Sequence, residues 1–215
     1  MVRMLRTLIV PSAIAAAVLW TYLPARWFAF LNWDDNAVIL LNRELQFPNV
    51  WQWAFTTTDM EHYQPLSWLV WAAIKSGFGV EASLFHSANI MLHVLCAVLV
   101  WLVARTVFAR TLTHVSDRGR DAAALAAATL FGIHPLRVEV VAWISALPYL
   151  LALAFVLLSV LAYVRASAHD SRRWWVAALT LYAASLLARP VAIGYPIVLL
   201  LLDVAILRKR PRASA

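Results

Sequence analysis

Residues 84–108 read LFHSANIMLHVLCAVLVWLVARTVF, and this stretch decides the fold class. It contains one charged side chain, Arg105, near its end. A helix of this length extends about 37 Å, which exceeds the roughly 30 Å thickness of the hydrocarbon core of a bilayer. The stretch therefore predicts a helix that spans a membrane.

The composition of the whole chain also favours a membrane environment. Of its 215 residues, 63% are hydrophobic and only 13% are charged. A water-soluble domain of this size leaves a large share of its surface exposed and could not bury so many apolar side chains. We therefore expect an all-α, polytopic membrane helix bundle that forms a single domain over residues 1–215.

Apolar runs separated by polar or proline-containing turns predict about six spans. They lie at residues 8–24, 84–108, 122–135, 145–164, 174–188 and 191–207. The first run is interpreted as a retained anchor rather than a signal peptide, because no small-residue cleavage site follows it cleanly. The third is expected to break at His134-Pro135, with residues 136–143 re-entering at the outer face.

A long loop at residues 25–83 contains six of the eleven acidic residues. It is too apolar to be an unstructured linker. Residues 50–55 and 65–78 are expected to form short helices that lie along the membrane surface, since about 14 residues are too few to cross a bilayer.

Basic side chains indicate which loops face the cytoplasm. Thirteen of the 18 Lys and Arg residues fall on one predicted side: Arg3, Arg6, Arg105, Arg110, Arg118, Arg120, Arg165, Arg172, Arg173, Arg208, Lys209, Arg210 and Arg212. The positive-inside rule then predicts a cytoplasmic N-terminus and C-terminal tail in a bacterial inner (plasma) membrane, with residues 25–83 outside. Because the basic residues are scattered between apolar runs, the net charge of +7 does not indicate nucleic-acid binding.

Several common enzyme motifs are absent from the sequence. It has no glycine-rich phosphate loop, no metal-binding Cys/His spacing and no serine nucleophile elbow. The single cysteine, Cys96, lies in an apolar run and cannot form an intrachain disulfide. Only five glycines occur and no inverted repeat of broken helices is visible, which weakens a transporter interpretation.

An acidic pair, Asp34-Asp35, follows the aromatic stretch just outside the first span. Two adjacent carboxylates can supply a general base or hold a divalent metal through oxygen. Alternatively, one of them starts a helix through residues 37–41 as its N-cap. The residues alone leave both interpretations open.

Other polar residues lie on or beside the predicted spans. His86, Asn89 and His93 are spaced i, i+3 and i+7, so they share one helix face. Interhelical hydrogen bonding is the favoured explanation for Asn89, whereas His86 and His93 are open to a role in a cavity, with a metal or with a phosphate.

Two arginines lie at the same predicted depth near the outer face. Arg137, close to His134 and Glu139, could pair with Glu139 or bind a lipid phosphate, and Arg189 occupies the turn between the last two spans. Arginine matches phosphate oxygens bidentately, although an arginine near a helix end commonly only snorkels to the interface.

Six ordered blocks carry a family likeness. They are WDDNAVILLN (33–42), WQWAFTT (51–57), YQPLSWL (63–69), FHSANIMLHVL (85–95), LFGIHPLRVEVVAWIS (130–145) and ARPVAIGYPIVLLLLDV (188–204). Together they resemble the N-terminal membrane region of the transmembrane proteins that carry C-terminal tetratricopeptide repeats. Those proteins resemble protein O-mannosyltransferases and belong to the GT-C class of glycosyltransferases. The resemblance covers nearly the whole chain.

This resemblance implies a polyprenyl- or dolichyl-phosphate sugar donor, with the mannose form favoured, and inverting transfer to an acceptor outside the cytoplasm. The family's acidic pair maps onto Asp34 and Asp35, so Asp34 would take the acceptor proton and Asp35 would support it. A divalent metal, if one is used, would bind this pair. The family's His-Pro block maps onto His134, Pro135 and Glu139.

Charge and predicted depth, rather than the family pattern, make Arg137 and Arg189 candidates for the donor phosphate. His86 is a further substrate-binding candidate because of its place on the polar face of the second span. The expected partners are membrane lipid, a lipid-linked sugar donor and an unidentified protein or glycan acceptor.

Two departures from the family pattern affect the functional expectation. ALPYLLA at residues 146–152 lacks the charged stretch that is common in relatives, and the chain has about six spans and no repeat region where relatives have ten or more spans and repeats. The leading function is a GT-C-type glycosyltransferase or its N-terminal module, with a partner subunit as one source of the missing helices. The alternatives are a non-catalytic membrane protein or fragment that binds a lipid carrier or assembles with a partner, and a transporter.

Overall fold

The structure, a computed structural model, describes residues 2–204, with side chains from residue 9 onward. Predictions on Arg3, Arg6 and the tail residues Arg208, Lys209, Arg210 and Arg212 lie outside the described side chains. Throughout the described residues the chain is helical, without a β-strand, as the sequence predicts.

Nine α-helices follow one another along this part of the chain. They are α1 (Val2–Tyr22), α2 (Val50–Thr56), α3 (Pro65–Phe78), α4 (Ala82–Thr111), α5 (Asp117–Ile133), α6 (Val138–Ala142), α7 (Leu147–His169), α8 (Arg172–Ala188) and α9 (Tyr195–Leu202). Short 3₁₀ turns join several of them, and a π-helical turn, Asn36–Leu40, follows the acidic pair.

In the described part of the chain, three helical stretches are long and apolar enough to cross a membrane: Ile9–Trp27, Ala82–Thr111 and Ile144–His169. Asp117–Ile133 and Pro135–Ala142, which are bent by 52° at His134, are a fourth candidate if they count as one span. Helices therefore lie where the first, second and fourth spans are predicted, and the third is broken at His134 as expected, while the crossing of a membrane stays a prediction. The fifth and sixth coincide with α8 and α9, which are 17 and eight residues long, and their crossing stays a prediction.

The helix of the third predicted span extends beyond the predicted start of that span at residue 122. Helix α5 begins five residues earlier, at Asp117, because the Ser116 side chain accepts a hydrogen bond from the Gly119 backbone N–H and caps the helix. The polar first turn, with Asp117, Arg118 and Arg120, extends the helix beyond its apolar part.

Helix α4 is the centre of the bundle. It packs against α1 and α5 on one side and against α7 on the other, and α7 in turn packs on α8. Small residues allow the close approach: a Cβ added at Gly132 of α5 would lie 2.7 Å from Cγ2 of Val18 in α1. Association through small residues is typical of helices in lipid, where apolar surface alone gives no preference for protein contacts.

Residues 25–83, called the outer loop after their predicted side of the membrane, fold into a cap with its own core. Helices α2 and α3 confirm the two short helices expected at residues 50–55 and 65–78. Their buried side chains, including Trp68 and Trp71, pack with Phe85 of α4 and Ile144 before α7. Four indoles on the same end of the molecule are largely exposed, namely Trp20, Trp27, Trp33 and Trp51. Exposed indoles are typical of a membrane–water interface.

Candidate functional site

Asp35 is the more deeply buried of the two carboxylates of the acidic pair. It has no solvent exposure, and its Oδ1 accepts hydrogen bonds from the Ser145 hydroxyl at 2.6 Å and the Ser145 backbone N–H at 3.0 Å. Its Oδ2 accepts a third, from the Leu31 backbone N–H at 2.9 Å. Three donors compensate a buried carboxylate for the water it has lost. The hydrogen bonds of Asp35 therefore join the outer loop to the turn that precedes α7.

Asp34 has a different environment although it is the next residue. Its side chain is half-buried, and among the described residues it makes no side-chain hydrogen bond or ion pair. The backbone of this segment turns from Asp34 directly into the π-helical turn, a rare geometry that is frequent at functional sites. Asp34 is therefore the carboxylate of the pair that is available to a ligand.

The helix-cap interpretation of the pair is wrong for Asp35. No side chain caps the turn Asn36–Leu40, and the carboxylate of Asp35 instead reaches back to Leu31 and across to Ser145. The cause is a tertiary contact: Ser145 donates two hydrogen bonds to the Asp35 carboxylate, which is therefore not used to cap the local backbone.

The two carboxylates of the acidic pair do not together form a divalent-metal site in the described part of the chain. Both oxygens of Asp35 already accept hydrogen bonds, and no group of three or more His, Cys, Asp or Glu side chains converges there. Asp34 is the carboxylate of the pair that could hold a divalent cation, whose remaining ligands would have to be water or phosphate oxygens.

The polar face of α4 lies beneath this site. Asn89 donates from Nδ2 to the Trp143 carbonyl oxygen at 2.8 Å, which is the interhelical bonding expected of it. His93 Nε2 lies 2.9 Å from the Gly132 carbonyl oxygen. His86 is also buried, but neither of its ring nitrogens has a partner among the described residues, and its ring meets Phe28 edge-on. His86 thus keeps an unsatisfied hydrogen-bonding capacity close to the outer end of α4.

Arg189 is oriented by residues of the outer loop. Its guanidinium lies 2.7 Å from Gln64 Oε1 and 3.0 Å from His62 Nε2, and it stacks over the ring of Tyr149 at 4.5 Å. Tyr149 stands one helical turn beyond Ser145, which holds Asp35. These contacts link Arg189 to the same end of α7 as the acidic pair.

Arg137 belongs to a separate group of contacts. Its guanidinium lies over the Phe131 ring at 4.6 Å, and its buried Nε has no hydrogen-bond partner among the described residues. Neighbouring His134 accepts the Leu136 backbone N–H at Nδ1 and so caps a 3₁₀ turn, while its carbonyl oxygen accepts the Tyr22 hydroxyl.

Two expected associations of Arg137 are not observed. No ion pair joins Arg137 to Glu139, whose side chain is exposed, within the part of the chain that is described. The hydrogen bonds and ring contacts of Arg189 involve Gln64, His62 and Tyr149, whereas Arg137 lies over the Phe131 ring, so no such contact of the described residues joins the two arginines.

Four residues around the site were missed as candidates from sequence: Ser145, Gln64, His62 and Tyr149. Ser145 and Gln64 stand inside the family-like blocks VAWIS and YQPLSWL, which was the available signal. Tyr149 lies within ALPYLLA, the stretch that lacks the charged residues common in relatives, yet its ring contacts the Arg189 guanidinium.

Comparison with known proteins supports the family resemblance. The chain is 32% identical over 191 residues to the protein O-mannosyl-transferase Tmtc2 of Drosophila melanogaster, an alignment that covers 80% of this chain and 19% of the fly protein. It is therefore similar to part of the Tmtc proteins. Human TMTC4 is 30% identical over 181 residues, which cover 73% of this chain and 24% of that protein.

The chain thus spans about a fifth to a quarter of the length of its Tmtc relatives. No family model matches it, and no solved structure matches it significantly. Its apolar helices and membrane-protein relatives indicate that the chain is an integral membrane protein.

Proposed function

We propose that this chain carries the reaction centre of an inverting mannosyltransferase that uses a polyprenyl-phosphate mannose donor and an extracytoplasmic hydroxyl acceptor. The observation that carries the proposal is the difference between the two carboxylates of the acidic pair. Asp35 is buried and accepts three hydrogen bonds, whereas the adjacent Asp34 is half-buried and accepts none from the described residues. Similarity to proteins named as O-mannosyl-transferases supports mannose as the transferred sugar.

The proposed chemistry needs one base and one leaving group. Asp34 accepts the proton of the acceptor hydroxyl as that oxygen attacks the anomeric carbon of the mannose. The bond between the anomeric carbon and the phosphate oxygen breaks, and polyprenyl phosphate leaves with the electron pair. Attack from the face opposite the phosphate inverts the anomeric configuration. A general base of this kind contributes about 10²–10⁴-fold to rate.

Asp35 acts in this scheme as a positioning residue. A carboxylate that already accepts three hydrogen bonds has little capacity left to take an acceptor proton. By fixing the start of the turn Asn36–Leu40 to Ser145, it holds Asp34 at the outer end of the bundle.

Arg189 is the better supported partner for the donor phosphate. Its planar group is held by Gln64 and Tyr149 rather than by a carboxylate, so its positive charge is not neutralised by an acidic neighbour among the described residues. Bidentate matching of phosphate oxygens then becomes possible. Arg137, His134, Glu139 and His86 stay secondary candidates at the same end.

The orientation of the chain completes the proposal. Described side chains of the basic loops, including Arg110 and Arg165, meet at the opposite end of the helices from Asp34. The positive-inside rule makes that end cytoplasmic, which leaves the acidic pair on the extracytoplasmic side with a cytoplasmic N-terminus.

Transfer of labelled mannose from polyprenyl-phosphate mannose to a Ser/Thr peptide, measured in membranes containing the full chain, tests the proposal. We expect Asp34→Asn to lower kcat by about 10²-fold or more, because the base is lost. Glu61→Gln, an exposed carboxylate of the same loop, is the matched control and should leave kcat unchanged. Wild-type rates in Asp34→Asn would refute the base role. Donor binding without any transfer by the wild-type chain would favour the non-catalytic, lipid-carrier-binding alternative.

A further inference from the structure

The end of the bundle opposite the acidic pair contains a cavity lined by arginines. It has a volume of about 930 Å³ and lies between α1, α4, α5 and α7. Arg105 and Arg110 of α4, Arg118 and Arg120 of α5 and Arg165 of α7 line it. From His86 to Arg110 is 24 residues along α4, or about 36 Å, so the cavity lies a membrane thickness away from the candidate active site.

The cavity keeps an excess of positive charge after its internal ion pairs are counted. Arg105 pairs with Asp121 at 2.9 Å, and Arg120 pairs with Asp117. The other three arginines, Arg110, Arg118 and Arg165, have no carboxylate partner among the described side chains. Residues 1–8 and 205–215 contain no Asp or Glu that could supply one.

Apolar side chains form the other wall of the same cavity. Val10 of α1, Trp101 and Leu102 of α4 and Leu125 of α5 line it next to the arginines. The spacing along α4 explains why apolar and basic side chains line the same cavity. Trp101 and Arg105 are one helical turn apart, so they lie next to each other on the same face of the helix. A ligand for this site needs an anionic group joined to a hydrocarbon part.

We propose that this cavity binds the phosphodiester headgroup of an anionic phospholipid, with the upper part of an acyl chain against the Trp101–Leu125 wall. Guanidinium groups pair with phosphate oxygens bidentately, and basic pockets between membrane helices on the cytoplasmic side suit anionic headgroups. The volume is sufficient for a headgroup and its glycerol, since ligand cavities commonly measure about 300–1,000 Å³. The site is independent of the proposed mannosyl transfer.

Native mass spectrometry of the detergent-solubilised full chain, titrated with dioleoyl phosphatidylglycerol or dioleoyl phosphatidylcholine, tests this proposal. The lipids share their acyl chains and differ in net charge. We expect the wild-type chain to bind phosphatidylglycerol about tenfold more tightly or better, because several arginines face the phosphate without a counter-ion. Equal affinity for the two lipids would overturn the proposal.

Two double variants locate the site. Arg110→Gln/Arg165→Gln should weaken phosphatidylglycerol binding about tenfold or more. The control, Arg172→Gln/Arg173→Gln, removes two charges at the same end of the bundle but outside the cavity. It should change phosphatidylglycerol binding less than about twofold. Equal losses in the two variants would overturn the proposal. If the first variant does not fold, Arg110→Lys/Arg165→Lys, which keeps the charge, is tested instead. This variant should still prefer phosphatidylglycerol to phosphatidylcholine, but it should bind phosphatidylglycerol more weakly than wild type does. An unchanged affinity for phosphatidylglycerol would count against bidentate arginine contacts.

A soluble competitor separates a lipid from a free phosphate ester. sn-Glycerol 3-phosphate carries the phosphate without the acyl chains. We expect it to displace phosphatidylglycerol only at a concentration at least a hundredfold higher, because it makes no contact with the apolar wall. Displacement at equal concentration would overturn the assignment to a lipid.

Discussion

The Asp35 carboxylate accepts hydrogen bonds from both the hydroxyl and the backbone N–H of Ser145, a residue 110 positions later in the chain. The two bonds join the first outer loop to the turn before α7 at a point closed to solvent. Since Asp34 is adjacent to Asp35, this contact also fixes the position of the proposed base.

Replacing Ser145 with alanine tests that link. Ser145→Ala removes the shorter of the two bonds and leaves a buried carboxylate with one donor fewer, which should lower the free energy of unfolding by about 1–3 kcal/mol. We also expect kcat for mannosyl transfer to fall while KM for the donor stays near its wild-type value, because Asp34 is displaced and Arg189 is not.

Ser83→Ala is the matched control for this variant. Ser83 is half-buried near the start of α4, and its hydroxyl makes no hydrogen bond with another described residue. Its loss should change stability by less than about 0.5 kcal/mol. If Ser145→Ala matches this control in the midpoint of thermal unfolding, the bond contributes nothing and the positioning role of Asp35 fails.

Arg189→Lys tests donor binding by geometry rather than by charge. Lysine keeps the positive charge but loses the planar group that contacts Gln64, His62 and Tyr149. We expect KM for polyprenyl-phosphate mannose to rise about tenfold. Arg43→Lys, which changes an exposed arginine of the outer loop, should leave KM unaltered, and an equal change in both variants would rule out a specific phosphate contact.

The helical fold was largely predictable from sequence because it depends on local signals. Long apolar runs located α1, α4 and α7, and the His134-Pro135 pair located the bend after α5. The start of α5 was missed because a polar first turn does not register as a span, although Ser116 is a capping residue by type.

The site was only partly predictable because its contacts are long-range. The acidic pair was identified, but the sequence could not distinguish Asp34 from Asp35, since the difference arises from Ser145. In the same way Arg189 was chosen for its charge, whereas its orientation depends on Gln64, 125 positions away. Neutral residues such as these carry no signal until the fold brings them to a charged partner.

The contact of Lys75 with the turn Asn36–Leu40 can be tested through the pH dependence of the free energy of unfolding. Its side chain is 3% exposed, and Nζ donates to the carbonyl oxygens of Ile39 at 2.5 Å and Asn42 at 2.8 Å. Burial lowers the pKa of Lys75 below its ordinary value of 10.5. Between the lowered pKa and 10.5 the unfolded chain therefore binds more protons than the folded chain, and this group makes stability increase as pH rises through that window.

Comparison with Lys75→Met isolates this contribution. We expect the variant to be less stable by about 1–3 kcal/mol at neutral pH, because two buried carbonyl groups lose their donor. The stability difference between wild type and variant should widen as the pH is raised from neutral towards 10.5, as the cost of the buried ammonium disappears in the wild type alone. Thermal unfolding across this range measures the gap, and a gap that narrows would show that the charge itself stabilises the fold.

Gly132 tests the close approach of α5 to α1. A Cβ at this position would lie 2.7 Å from Val18 Cγ2 and 3.4 Å from the Ala97 Cβ, so either the Val18 side chain or helix α5 must shift if alanine is introduced. Such overpacking costs about 1–3 kcal/mol, and it should also lengthen the bond from the Gly132 carbonyl oxygen to His93. Gly77→Ala in α3, where no atom lies within 4 Å of the added Cβ, should be neutral or stabilising by up to about 1 kcal/mol. Unfolding midpoints that shift equally in the two variants would mean that α5 does not depend on a glycine to reach α1.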